Sequence, residues 1–138
     1  MKFKLTTIIN ATPEVVYNTW LSSKGHAAMT GAEAKITKRI GGQFSAWDGY
    51  IEGKNLELKT NVYIKQSWRT VEFKEGQPDS SLEITLASSG KGQCKLVLIH
   101  SGLTASDIKY KQGWIDSYFE PMKAYWSKTK NNPMAETY

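Results

Sequence analysis

The longest periodic segment of the chain is a helical pattern that runs from about residue 105 to residue 128. At a rise of 1.5 Å per residue, ~24 helical residues span about 36 Å, enough to cross a whole β-sheet. Pro121 lies inside the pattern and predicts a kink near residues 117 to 121, because proline removes a backbone donor and clashes with the preceding turn. The predicted apolar face of this helix comprises Ile108, Trp114, Ile115, Tyr118, Phe119, Met122, Tyr125 and Trp126.

The chain before this helix mostly alternates between apolar and polar residues, which is typical of half-buried strands. A first strand is expected at residues 2–9, and six more follow, the earliest running from Ala32 to Arg39. Between them, Thr12 as N-cap before Pro13 predicts one helix, and a second short helix is expected near residues 24–29. The order predicts an α+β domain: a curved antiparallel sheet of six or seven strands, closed over the C-terminal helix, with two short helices after strand one.

The dipeptide Asp48-Gly49 is a strong signal for a two-residue β-hairpin turn and fixes the register of the strands around it. Because side chains alternate between the faces of a sheet, this register assigns a face to each neighbouring residue. It directs Phe44, Ala46 and Ile51 to the inner face, and Trp47, Tyr50 and Glu52 to the outer face.

The length of 138 residues indicates one domain, and a chain of this size buries roughly 68–70% of its unfolded surface. We expect residues 1–130 to form that domain and residues 131–138 to form a flexible tail. Because the sequence contains no run of ~18 apolar residues and no apolar signal segment, it predicts a cytoplasmic protein without a membrane span. Cys94 is the only cysteine, and with His26 and His100 it gives no metal-ligand spacing, so neither a metal nor a cofactor is predicted.

The net charge of +5 and the pI near 9.2 raise the question of nucleic-acid binding. Nearly all of the positive charge comes from lysine, whereas base and phosphate recognition favours arginine. The sequence therefore predicts a solvated basic face on the outside of the sheet and no nucleic-acid partner. That face is expected to comprise Lys2, Lys4, Lys35, Arg39, Lys65, Arg69 and Lys95.

No combination of residues predicts catalysis. His100 falls on the inner face, where a near-neutral pKa would suit a general base, but a hydrogen bond to a main-chain group is the alternative interpretation. Asp48 is the first residue of a hairpin turn, and Cys94 has no activating neighbour in the sequence.

The inner-face residues of sheet and helix converge instead on one apolar space. A filled core is the alternative, but Gly113 carries no side chain and favours open volume. The predicted cavity residues are Phe44, Ile51, Ile64, Gln66, Trp68, Leu98, His100, Trp114, Tyr118 and Met122.

Several segments together resemble the START-like (SRPBCC) superfamily, and within it the family similar to the C-terminal domain of the activator of the heat-shock protein 90 ATPase. The resemblance covers residues 3–127 and implies a helix-grip fold with a cavity between the sheet and the last helix. No counterpart of the separate N-terminal domain of the full-length chaperone activator is expected. The segments are Asn10–Tyr17, Gly41–Phe44, Asp48–Ile51, Gln66–Arg69, His100–Gly102, Gly113-Trp114 and Tyr118–Pro121.

These observations favour a non-enzymatic START-like domain that binds a small hydrophobic or amphipathic ligand. The alternative is a stress-related, co-chaperone-like module whose lysine-rich outer face docks on an acidic chaperone surface. A cyclase or hydrolase that uses the cavity is a third hypothesis, and its signature would be turnover that depends on His100.

Overall fold

A seven-stranded antiparallel sheet forms one layer, and the helices pack on its inner face. The computed structural model describes the backbone of residues 1–135 and the side chains of residues 1–127. The strand order across the sheet is β1-β7-β6-β5-β4-β3-β2. The elements in chain order are β1 (Phe3–Ile9), α1 (Pro13–Trp20), α2 (Ser23–Thr30), β2 (Lys35–Ile36), β3 (Gln43–Ala46), β4 (Ile51–Lys59), β5 (Tyr63–Thr70), β6 (Ser80–Ser88), β7 (Cys94–Ser101), a 3₁₀ turn (Ala105–Asp107), α3 (Lys109–Trp114), a π-helical segment (Ile115–Phe119) and α4 (Glu120–Ala135).

The predicted α+β architecture is confirmed, including the two short helices after strand one. The Thr12 hydroxyl caps α1 by accepting a hydrogen bond from the Val15 N–H at 3.2 Å, and Pro13 occupies the first turn. The second strand is shorter than predicted. It ends at Ile36, because the backbone carbonyls of Thr37 and Arg39 accept hydrogen bonds from the Asn55 side chain.

The hairpin register predicted from Asp48-Gly49 is confirmed, since Ala46 pairs with Ile51. The outward direction predicted for Trp47 and Tyr50 is wrong. Trp47 and Asp48 have φ angles of 52° and 57°, and Gly49 has 90°, so three consecutive left-handed residues turn the backbone. Trp47 therefore lies edge-on to Tyr118 of the π-helical segment, with 6.4 Å between the ring centroids.

The C-terminal helix has its irregularity at Ile115–Phe119, where the hydrogen bonds widen to a π-helical pattern. Pro121 follows closely and has no N–H to offer to the carbonyl four residues earlier, on Ser117. The range predicted for the kink, residues 117 to 121, overlaps this π-helical segment at residues 117–119. Ile108 is 52% exposed and does not join the apolar face, because it lies before the first turn of α3. The flexible tail predicted for residues 131–138 stays a prediction, since α4 continues to Ala135 and residues 136–138 lie outside the described part.

Strands β4 and β5 approach each other closely at Gly53. A Cβ atom at this position would lie 1.9 Å from the backbone oxygen of Ser67 and 2.7 Å from the Phe44 ring. Phe44 is the cross-strand partner of Gly53 in β3, so its ring covers the missing side chain. Only glycine permits this contact, which lies two residues before the bulge between Asn55 and Glu57.

We therefore expect Gly53→Ala to destabilise the protein by at least about 2 kcal/mol, because the new methyl group must displace the backbone of β5. Gly113→Ala is the matched control, since a Cβ there meets nothing within 4 Å and alanine favours a helix by about 1 kcal/mol. Urea denaturation of both variants measures the difference. Equal stabilities for Gly53→Ala and the wild type would contradict the close approach.

Candidate functional site

An apolar cavity of about 240 Å³ lies between the C-terminal helix, the turn after β3 and the inner face of β4 and β5. Six of its nine lining residues are aromatic, so its walls present ring faces and edges. The lining residues are Trp47, Tyr50, Ile51, Trp68, Tyr110, Gly113, Trp114, Ser117 and Tyr118.

The deep wall of the cavity is a cluster of packed aromatic rings. The ring centroids of Trp114 and Tyr118 are 4.8 Å apart, and those of Trp114 and Trp68 are 5.7 Å apart. Trp20 of α1 lies behind them, with its ring stacked 6.2 Å from that of Trp114. Because each ring is fixed by at least one other, the wall is preformed.

The helix contributes open space where it carries small residues. Gly113 has no side chain, and a Cβ built there has no neighbour within 4 Å. Ser117 lies one turn later and also borders the cavity. Larger residues at these two positions would occupy the volume that now stays empty.

The hydroxyl groups at the rim are held by partners outside the cavity. Tyr50 and Lys109 both donate hydrogen bonds to the Glu72 carboxylate, and the hydroxyls of Tyr110 and Thr70 are 2.5 Å apart. Lys109 holds the pKa of Glu72 below its usual range, and burial together with Glu72 raises the pKa of Tyr50. The phenol of Tyr50 is therefore neutral at the rim of the cavity.

His100 is fully buried next to the cavity, and its proton position follows from its partners. The Trp114 indole N–H donates to Nδ1 at 3.0 Å, so the imidazole proton lies on Nε2. Nε2 is 2.9 Å from the Ser80 hydroxyl, which donates in turn to the Trp68 carbonyl at 2.7 Å. Burial lowers the pKa of His100 to about 3. Both ring nitrogens are occupied, by side chains and not by the main-chain group expected from the sequence.

His26 has a parallel arrangement that the sequence did not reveal. Its Nδ1–H donates to the Trp20 carbonyl at 2.9 Å, and its Nε2 accepts from the Tyr118 hydroxyl at 2.7 Å. Burial lowers the pKa of His26 to about 4 and raises the pKa of Tyr118. Two neutral histidines thus each accept a hydrogen bond from a residue of the C-terminal helix.

The ten residues predicted to line one cavity fall into three groups. Phe44 is buried over Gly53 and borders two other hollows, away from this cavity. Four lie in the cavity wall: Ile51, Trp68, Trp114 and Tyr118. Five fill the adjacent core, at most 1% exposed: Ile64, Gln66, Leu98, His100 and Met122.

Sequence reasoning missed four of the lining residues. Tyr110 and Ser117 lie three and four residues from Gly113, so the helical spacing could have identified them. Trp47 and Tyr50 could not be identified in this way, because their direction depends on the left-handed backbone of the turn.

The described residues give little support for a cysteine nucleophile or a metal site. Cys94 is buried, and burial raises the pKa of its thiol, which makes it a poor nucleophile. No group of three or more His, Cys, Asp or Glu side chains is placed to hold a metal within the described part of the chain. None of the helices in that part is long and apolar enough to cross a membrane.

The sequence was also compared with models of known protein families. Residues 10–127 match the model of the family described as Activator of Hsp90 ATPase homolog 1-like protein. The chain belongs to this family. The resemblance found in the sequence is therefore confirmed at the level of the family.

Two curated members of the Hsp90 ATPase activator group are similar to this chain. The Activator of 90 kDa heat shock protein ATPase homolog of Dictyostelium discoideum is 25% identical over 125 residues, covering 90% of this chain and 32% of that protein. Homolog 2 of Mus musculus is 26% identical over 129 residues, covering 93% of this chain and 38% of that protein. The chain thus spans about a third of the length of these curated relatives.

The fold is shared with a solved structure of similar size. The crystal structure of an Hsp90 activator from Plasmodium falciparum superposes with a TM-score of 0.84 at 23% identity, covering 92% of this chain and 96% of that one. The predicted helix-grip fold is therefore confirmed.

The two histidines should make the stability of the protein depend on pH. Their pKa values in the fold lie near 4 and 3, below the ordinary 6.5, so the unfolded chain binds more protons as the pH falls. Their contribution is complete above pH 6.5 and decreases toward acid. The free energy of unfolding should fall by about 3 kcal/mol between pH 6.5 and pH 5.

Urea denaturation at both pH values measures this dependence. In His100→Gln, whose amide can keep both hydrogen bonds, the decrease should be about half as large. His26→Gln is the matched second variant and should give the same reduction. A pH dependence unchanged in both variants would contradict the assignment of neutral histidines.

Proposed function

We propose that this domain binds a small apolar or amphipathic molecule in the cavity beneath its C-terminal helix. The supporting observation is an open space of about 240 Å³ bordered by packed aromatic rings. Ligand sites are usually concave, preformed and apolar, with few polar groups that orient the ligand. Among the lining residues, Tyr50, Tyr110 and Ser117 carry hydroxyl groups, and those of Tyr50 and Tyr110 already have partners in Glu72 and Thr70.

The volume and the walls define the class of ligand. Sites for drug-sized ligands usually enclose roughly 300–1,000 Å³, so this smaller space suits a compound of one or two rings. Aromatic walls favour a flat, aromatic or otherwise apolar compound through ring stacking. No charged side chain borders the cavity in the described part of the chain, so the buried portion of the ligand should be neutral.

We propose that binding occurs without catalysis. His100 and His26 use both ring nitrogens in structural hydrogen bonds and have pKa values too low for a base near pH 7. The cyclase or hydrolase hypothesis requires one of these bonds to be given up during turnover. Turnover of any compound that binds, lost in His100→Gln, would support that hypothesis against ours.

Gly113→Leu tests the ligand site, because the leucine side chain would fill the space that opens beside Gly113. Indole and 1-naphthol serve as probes, and binding is followed by NMR shifts of the Trp68 and Trp114 signals. We expect at least tenfold weaker binding in Gly113→Leu than in the wild type.

Gly113→Ala is the matched control and should bind within twofold of the wild type, since one methyl group removes little volume. A wild type that shows no shift with either probe, or with a wider panel of lipids and polyphenols, would contradict the ligand proposal. Equal affinity in Gly113→Leu would place binding elsewhere on the molecule.

A second candidate function is a co-chaperone role, which family membership favours. The curated relatives are named as activators of the 90 kDa heat shock protein ATPase. This chain spans only about a third of those proteins. We therefore propose for it the binding of the chaperone, and not the activation of the chaperone's ATPase. We accordingly propose an Hsp90-type chaperone as the protein partner, with a cytoplasmic location and a role in stress.

The outer face of the sheet is one surface on which such a partner could dock. Lys4 and Lys95 are exposed on it, whereas Arg69 is half-buried and paired with Asp79 at 2.7 Å. The double variant Lys4→Glu/Lys95→Glu therefore tests this face without breaking an ion pair. If the face is the docking site, calorimetry should show at least tenfold weaker binding of the chaperone.

A further inference from the structure

The partly exposed residues of the cavity wall show where the cavity opens. Trp47 and Tyr50 lie on the turn after β3, and Gly113 and Ser117 lie on the C-terminal helix. The other five lining residues are buried and form the floor of the cavity. The mouth of the cavity therefore lies between the turn and the helix, and a molecule that enters must pass between these two sides.

One carboxylate joins the two sides of the mouth. Glu72, in the loop after β5, accepts hydrogen bonds from the Tyr50 hydroxyl on the turn and from the Lys109 ammonium on α3. Lys109 precedes Gly113 by four residues, so these two residues share a face of the helix. Glu72 thus bridges the mouth, and we call Tyr50, Glu72 and Lys109 the clasp.

The ion pair of the clasp is exposed, whereas the bonds that hold the floor are buried. The side chains of Glu72 and Lys109 are 48% and 52% exposed. In the floor, the Trp114 indole and the Tyr118 hydroxyl donate hydrogen bonds to buried histidines. Because exposed ion pairs contribute little to stability, the clasp should open without disturbing the floor.

The clasp consists of side chains, so it can open while the main chain stays in place. The Asp48 N–H donates to the Glu33 carbonyl at 3.0 Å, and the Val71 N–H donates to the Tyr50 carbonyl at 3.1 Å. These bonds fix the backbone on the turn side of the mouth. Tyr50 can therefore leave Glu72 by rotation of side chains alone.

We propose that the clasp is a gate to the ligand site: when formed it restricts passage through the mouth, and when open it admits a neutral apolar ligand. The inference rests on the first proposed function, the ligand site beneath the C-terminal helix. Because a ligand enters and leaves through the open fraction of molecules, the clasp slows both steps by the same factor. It leaves the affinity unchanged, because it forms over the free and the occupied cavity alike.

Two single variants open the clasp: Glu72→Ala removes both of its bonds, and Lys109→Met removes one and keeps a side chain of similar length. Neither residue lines the cavity. Line-shape analysis of the Trp68 and Trp114 NMR signals during titration with 1-naphthol gives the rate constants and the dissociation constant. In Glu72→Ala, association and dissociation should both be at least threefold faster, with a dissociation constant within twofold of the wild type. Lys109→Met should accelerate both steps by a smaller factor.

The double variant Glu72→Ala/Lys109→Met distinguishes a clasp from two charges that act independently. Because Lys109 acts on the mouth through Glu72, the double variant should have the same rate constants as Glu72→Ala. Faster exchange in the double variant than in Glu72→Ala would contradict the clasp.

The outer face of the sheet offers a matched control with the same chemistry. Glu83 accepts a hydrogen bond from the Tyr63 hydroxyl at 2.6 Å, and neither residue lines the cavity. Glu83→Ala removes this pair, and Lys111→Met changes an exposed lysine on another face of α3. Both controls should keep the rate constants of the wild type within a factor of about 1.5. Melting temperatures show that each variant is folded, and Lys109→Met carries the test if Glu72→Ala is unfolded.

The outcomes separate the clasp from the ligand site on which it depends. A wild type that does not bind 1-naphthol overturns the clasp together with the site for this ligand. A wild type that binds, with the same rate constants as Glu72→Ala and Lys109→Met, overturns the clasp and leaves the ligand site in place. Weaker affinity in Glu72→Ala at an unchanged association rate also overturns the clasp, since Glu72 would then support the wall of the site.

Discussion

The position of the C-terminal helix depends on two histidines that are buried without charge. His100 accepts a hydrogen bond from the Trp114 indole, and His26 accepts one from the Tyr118 hydroxyl. A protonated imidazole has no free acceptor, so charging either ring would break its bond to the helix and also bury a charge. Neutral histidines thus fix Trp114 and Tyr118, and through them the wall of the cavity.

This arrangement explains why the space beneath the helix stays open. Hydrogen bonds are directional, and the bonds at Trp114 and Tyr118 hold the helix from two sides, through β7 and α2. Large rings on both sides of Gly113 then act as spacers, and the cavity is what remains between them.

The face of most strand residues was predictable from the sequence, whereas the boundary of the cavity was not. Alternation correctly directed Ile51 and Trp68 inward, because a strand offers only two directions. Trp68 and Ile64 both point inward from β5, but Trp68 borders the cavity and Ile64 packs in the filled core. Alternation could not distinguish these two environments. That difference depends on the rotation of the helix and on the left-handed turn at Trp47, and neither has a periodic signal.

The cavity and the loop between β2 and β3, residues 37–42, share one internal support. Asn55, which holds the loop, is bonded to Gln66, and Gln66 Oε1 lies 3.5 Å from the Trp20 indole nitrogen. Trp20 stacks on Trp114 in the cavity wall. A substitution at Gln66 would therefore disturb both regions at once. A substitution at an exposed position of the loop, or at a position that faces the cavity, would change only one of them.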